Sequence, residues 1–238
     1  MNHGPSDARE FMRSFLAKYA RQSDRTVAIF PSALAFHAVR ESLDSRSDVL
    51  CGVQNIHFED KGAFTGETSA SMARDAGAKL ALIGHSERRH VFGETDEEAG
   101  RKCAAAVRAG LAPMLCVGEK LEQRERGETD EVVVRQLTAG MAMLEAGQMS
   151  GLTVAYEPVW AIGTGKTATP ADAAATHAVI RRYLRERAGE RGSAIPILYG
   201  GSVNKGNAAQ LLAAGDVGGL LVGGASLDAD GWSSIVRT

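Results

Sequence analysis

The sequence predicts an α/β fold of the (β/α)8 barrel type, and three observations carry that expectation. Its 238 residues are a normal length for one such barrel, which typically runs about 250. Short apolar runs alternate with longer Ala-rich amphipathic segments from end to end, the pattern of β-α units around a parallel sheet. Chemically distinctive residues follow four of the apolar runs, and in a closed barrel the carboxyl ends of all strands share one face.

Seven runs read as strands: residues 26–30, 49–53, 80–83, 112–117, 152–156, 195–199 and 219–222. Each is nearly continuous in apolar residues, as suits strands covered on both faces. Helical periodicity is predicted over 9–20, 33–43, 97–109, 131–146, 171–187 and 205–213. Thr169-Pro170-Ala171-Asp172 is a helix start, and Gly110 and Gly189 lie near helix ends. No Ser/Gly-rich linker divides the chain, so residues 1–238 are expected to form one domain. An open dinucleotide-binding sheet is disfavoured, because the first predicted strand ends in Phe30-Pro31-Ser32-Ala33 rather than a G-x-G-x-x-G turn.

Composition narrows the function classes. Lys and Arg number 27 against 29 Asp and Glu, so a basic face for nucleic acid is not expected. The apolar runs are strand-sized, far short of the roughly 18 residues that suggest a membrane span, and the start does not resemble an export signal. Cys51, Cys103 and Cys116 show no C-x-x-C spacing, which with the absent leader predicts a reduced, cytoplasmic protein.

The punctuation between strands is where chemistry concentrates. Gly84-His85-Ser86-Glu87 follows the third run, and Glu157-Pro158 follows the fifth. A carboxylate and an imidazole facing one pocket can move protons within a small substrate. Each alone has a plainer reading, His85 as a structural strand-end histidine and Glu157 as the opening of a loop. Gly163-Thr164-Gly165, Gly201-Ser202 and Gly223-Gly224 could turn backbone amides towards one anion, with Ala225-Ser226-Leu227 opening a short helical turn. Gly163-Thr164-Gly165-Lys166-Thr167 is not a phosphate-binding Walker loop, because Trp160 stands where its first glycine belongs. His57-Phe58-Glu59 and His85-Ser86-Glu87 imitate a zinc-site H-x-E but lack a P-C-x-x-C companion, so no metal is expected. The charged stretch 119–131 is read as a solvated helical surface.

These segments resemble those of triosephosphate isomerases. The resemblance rests on Gly84-His85-Ser86-Glu87-Arg88-Arg89, on the run from Ala155 through Glu157-Pro158-Val159-Trp160 to Gly165, on Tyr199-Gly200-Gly201-Ser202 and on Leu221-Val222-Gly223-Gly224-Ala225-Ser226. Gln54-Asn55 and Gly62-Ala63-Phe64-Thr65-Gly66-Glu67 are similar to the family's dimer-forming loop. The resemblance covers essentially the whole chain and implies a TIM barrel. It also implies interconversion of dihydroxyacetone phosphate and glyceraldehyde 3-phosphate through an enediol(ate), a step of glycolysis and gluconeogenesis. Glu157 would be the base and neutral His85 the group that polarises the carbonyl. Gly163, Ser202, Gly223 and Gly224 would hold the phosphate, residues 158–168 would form a lid, and no cofactor would be needed. A homodimer through the loop around Thr65 is implied as well.

One departure bears on activity. Family members begin with a strand ending in Asn-x-Lys-Met-Asn, and only Met1-Asn2 matches it here. The expectation is therefore a barrel with the first β-strand missing, unpaired edges at 26–30 and 219–222, and a lost active-site cation. One preorganised donor is typically worth a hundred- to a thousandfold in rate, so a chain with this start is expected to be inactive or severely impaired. A start codon assigned too late accounts for the gap more simply than a natural truncation. The alternative from another class is a noncatalytic phosphometabolite-binding or structural dimer, which would have no use for His85, Glu157 and a complete lid.

Overall fold

The computed structural model describes residues 2–162 and 168–238. Seven strands, β1 (Val27–Ile29), β2 (Val49–Val53), β3 (Leu80–Ile83), β4 (Ala112–Val117), β5 (Thr153–Tyr156), β6 (Ile197–Tyr199) and β7 (Gly219–Leu220), form one sheet in sequence order. Every neighbouring pair is parallel, with Leu80 opposite Ala112, Val117 opposite Tyr156, and Tyr199 opposite Leu220. All seven predicted strands form; β1, β5, β6 and β7 are shorter than their apolar runs.

Side chains alternate across the sheet with a period of two. Ala81, Ile83, Leu115, Val117, Val154 and Tyr156 join the large core between sheet and helices, whereas Leu80, Leu82, Met114, Cys116 and Ala155 form a second cluster inside the curl. This parity sends Glu157, two residues beyond Ala155, to the inner side. Most inner residues of the central strands are buried, Ala112 at the start of β4 being partly covered, and those nearest the sheet edges, including Ala28, Phe30 and Leu221, are only partly covered. Among the described residues β1 pairs with β2 alone and β7 with β6 alone, leaving the two edges without a ladder between them.

The outer layer is helical. The longest predicted helices form as Pro5–Lys18, Asp96–Arg108, Thr129–Met141 and Pro170–Ala188, and reciprocal caps fix two of their starts: Thr95 with Glu98, and Thr169 with Asp172. Periodicity overruns in places. The predicted 33–43 helix splits into a 3-10 turn and Phe36–Ser42, and 205–213 contracts to Ala208–Leu212. Short helices at Ala70–Asp75, Ser86–His90 and Glu190–Ala194, and the final Ala229–Val236, lie outside the sequence-based assignment because most are too short to display a period. No helix among the described residues is long and apolar enough to cross a membrane.

Candidate active site

The carboxyl ends of β3, β5, β6 and β7 carry the singled-out residues to one face. After β3, Gly84 adopts φ +69°, a left-handed conformation that L side chains rarely adopt, and the chain turns directly into the Ser86–His90 helix. That turn makes His85 the cap of the helix, its Nδ1 accepting the Glu87 amide proton at 3.3 Å. Arg89 locks the corner by donating to the Gly84 carbonyl at 2.6 Å and to the Cys116 carbonyl of β4 at 3.2 Å.

Glu157 meets this corner from β5. Its Oε1 lies 3.0 Å from His85 Nε2, and its Oε2 accepts the Ser86 amide proton at 2.9 Å. With only 3 % of its side chain exposed, the carboxylate is nearly dry, and both its oxygens are engaged by protein donors. Because Nδ1 of His85 accepts a hydrogen bond, Nε2 carries the proton in the neutral ring and donates it to Glu157. Burial works to lower the His85 pKa, but the hydrogen bond and charge of Glu157, joined by Glu87 and Glu94, outweigh it and hold the pKa above its ordinary 6.5. Beneath the pair, burial first and the Glu157 charge second push the Cys116 thiol well up, so Cys116 stays neutral.

The strand beside Glu157 closes round it. The Gly200 amide donates to the Tyr156 carbonyl at 2.7 Å, and a Cβ on Gly200 would sit 2.9 Å from Glu157 Cγ and 3.5 Å from Leu221 Cδ2. Only glycine fits there. Gly223 and Gly224 differ: a Cβ on either would meet nothing within 4 Å among the described residues, and neither has a left-handed φ. Packing among the described residues does not require glycine at either position, whereas Gly223, at φ −86° and ψ −113°, holds a backbone conformation outside the usual α and β regions. They open the 3-10 turn Gly224–Ser226, as the sequence anticipated. Ser202 follows β6 on the same side, its carbonyl taking a proton from Asn207 Nδ2 at 2.9 Å. Gly163 falls outside the described residues.

Three supporting side chains escaped sequence reasoning. Glu94 is buried and accepts from the Gly84 amide (2.9 Å), Arg88 Nε (2.7 Å) and Lys102 Nζ (2.6 Å). Burial opposes its ionised form, yet Lys102 and Arg88 outweigh that and hold its pKa below the usual carboxylate range. Glu119 corrects the reading of 119–131 as a solvated surface. It is 0 % exposed and accepts from Tyr156 Oη at 3.1 Å and Trp160 Nε1 at 2.8 Å, whereas most of the remaining stretch meets water. A buried glutamate at the head of a charged run gives no periodic signal that separates it from its solvated neighbours. Tyr199 is the third: its buried hydroxyl has no partner among the described residues, and burial pushes its pKa to about 12.

Comparison with known proteins agrees with this geometry. The family profile described as triosephosphate isomerase matches residues 1–238. A triosephosphate isomerase of Roseiflexus sp. (strain RS-1) is 47% identical over 232 residues, covering 97% of this chain and 91% of the relative. That of Moorella thermoacetica is 55% identical over 193 residues, covering 81% and 78%. Among solved structures, the crystal structure of triosephosphate isomerase from Bartonella henselae superposes with a TM-score of 0.89 at 37% identity, covering 100% of this chain and 94% of that one. The curled seven-stranded sheet is a TIM-barrel fold, and the chain belongs to the triosephosphate isomerase family.

Proposed function

We propose that this chain interconverts dihydroxyacetone phosphate and glyceraldehyde 3-phosphate, with Glu157 as base and His85 as the group that polarises the carbonyl. The observation that carries the reading is the dry Glu157–His85 contact at 3.0 Å, set between the ends of β3 and β5. Both Glu157 oxygens are engaged, one by His85 and one by the Ser86 amide, so substrate must exchange for these donors. A substrate carbonyl oxygen that takes over the His85 Nε2 proton bond acidifies the adjacent C–H. The freed carboxylate then accepts that proton, leaving an enediolate; His85 gives its Nε2 proton to the former carbonyl oxygen and takes the proton of the adjacent hydroxyl, and Glu157 returns its proton to the neighbouring carbon. Nothing is consumed, and the proton acidified by the carbonyl requires no metal or organic cofactor. The Gly223 and Gly224 amides, Ser202 and Gly163 would bind the phosphate, and residues 158–168 would exclude water from the intermediate.

Further elements of the reading concern the whole assembly. Residues 1–238 act as one barrel domain. The loop around Thr65, in which residues 59–67 are all exposed, inserts into a second copy to form a homodimer, with Phe64 and Phe92 among the exposed apolar groups offered to it. A cytoplasmic setting and freedom from nucleic acid or membrane partners fit the near-neutral charge. Among the described residues the β1 and β7 edges have no ladder between them, and a sheet left open there is expected to turn over far more slowly than one closed by a strand bearing a site cation.

The test is isomerisation of glyceraldehyde 3-phosphate in deuterated water, with Glu157→Gln and His85→Gln alongside. The reading requires solvent deuterium in the product and a loss of about a hundredfold or more in both variants. Substrate binding with no isotope exchange would instead establish the noncatalytic binder.

A further inference from the structure

We propose that His3 is a positioning residue that clips the turn Gly224–Ser226 across the open edge of the sheet, so that the Gly223 and Gly224 amides stay available to an anion. This rests on the reading of Gly223-Gly224 as part of a phosphate site. The turn is poorly supported by the sheet, because β7 has only two residues and pairs on one side alone among the described residues. Its own bonds are local: Ser226 donates its amide to the Gly223 carbonyl at 2.9 Å, and Leu227 to the Gly224 carbonyl at 3.2 Å.

His3 supplies the contact that β1 does not. Its Nε2 lies 3.1 Å from the Leu227 carbonyl, immediately after the turn, and its own carbonyl accepts the Ser32 hydroxyl proton at 3.1 Å. Ser32 begins the segment that follows β1, so one residue spans from the end of β1 to the end of β7. A carbonyl only accepts, which makes His3 Nε2 the proton donor in this bond. The ring is held in place: it lies 5.7 Å from the Phe11 ring, Phe11 stacks on Phe15, and Phe15 reaches Trp232 of the final helix at 6.4 Å. Leu227 joins the turn to that same helix, which begins at Ala229. His3 thus fixes the turn at the point where it leaves the barrel.

The experiment titrates inorganic phosphate into parent protein, His3→Ala, His3→Gln and the His3→Ala/Ser32→Ala double variant, followed by calorimetry and 31P NMR. Loss of one neutral hydrogen bond should weaken phosphate binding about fivefold in His3→Ala. Glutamine places an N–H the same number of bonds from Cβ, so His3→Gln should recover most of the affinity at an unchanged melting temperature. Amide exchange at Gly224–Ser226 should quicken in His3→Ala and not in His3→Gln. The double variant should be no weaker than His3→Ala, because both changes open one clip. Equal phosphate affinity in parent and His3→Ala overturns the clip alone, as does a glutamine variant as weak as alanine. A parent protein that does not bind inorganic phosphate overturns the anion-site reading beneath it.

Discussion

Gly200→Ala tests how tightly the barrel wall holds Glu157. The new methyl carbon would lie 2.9 Å from Glu157 Cγ, 3.3 Å from the Tyr156 carbonyl oxygen and 3.5 Å from Leu221 Cδ2. Carbon atoms settle at about 3.5–4.0 Å, so roughly 0.6–1 Å must be found. Gly200 cannot retreat easily, because its amide is bound to the Tyr156 carbonyl at 2.7 Å. The Glu157 side chain is the part that yields. A shift of that size stretches its bonds to the Ser86 amide and His85, now 2.9 and 3.0 Å, towards or beyond the limit of about 3.5 Å for a useful hydrogen bond. Overpacking costs about 1–3 kcal/mol, and a chain of this size melts about 2–4 °C lower per kcal/mol. A catalytic group displaced by about 1 Å loses on the order of a hundredfold in rate. Thermal unfolding and isomerase assays on parent and variant read both numbers. Gly215→Ala is the control: its Cβ would find Ala174 Cβ at a comfortable 3.8 Å, and it should hold or slightly raise stability. A Gly200→Ala protein with parental turnover and melting temperature would refute the geometry.

The buried charges and the exposed surface lead to further expectations. Lys102→Met removes a cation from buried Glu94 and should destabilise by about 3 kcal/mol at pH 7, since Arg88 and the Gly84 amide alone remain with the charge. The Glu94 pKa is depressed in the fold, so its stabilisation is present above its unfolded value of 4.5 and fades as pH falls through the folded value. In the variant the carboxyl protonates at higher pH, and the melting-temperature gap to the parent should narrow on acidification; a gap independent of pH from about 4 to 8 counts against it. The His85 pKa is raised, so the stability that its charge contributes beside Glu157 is fully present below 6.5 and lost as pH rises through the folded value, while the neutral ring keeps the hydrogen bond. Imidazole NMR titration should therefore place His85 above 6.5 in the parent and lower in Glu157→Gln, and coincident curves would contradict the contact. Phe92→Asp puts a charge on a 68 % exposed aromatic and should shift sedimentation from dimer to monomer; an undisturbed dimer excludes that surface from the interface.

The sequence by itself determined the strand order, the shared face and the pairing of His85 with Glu157, because all three depend on local regularities. Strands buried on both faces are continuous apolar runs, and β-α alternation compels a parallel sheet whose carboxyl ends converge. Residues just past the end of each strand then share one face by topology, which made His85 and Glu157 a candidate pair, while the roles expected of Glu157, Ser202 and Gly223 came from the family resemblance. The tertiary structure decided whatever depends on partners far apart in the chain. Glu119 is buried because Tyr156 and Trp160 arrive from β5 and the loop after it, and Glu94 is ionised because Lys102 and Arg88 converge on it. No local pattern around either glutamate records both the burial and the compensating donors. The same holds for Gly200, a turn glycine by sequence and a wall against Glu157 Cγ in space, and for His3, whose partners Ser32 and Leu227 lie 29 and 224 residues away. Periodicity records which side of an element is covered; only the folded chain records the groups that cover it.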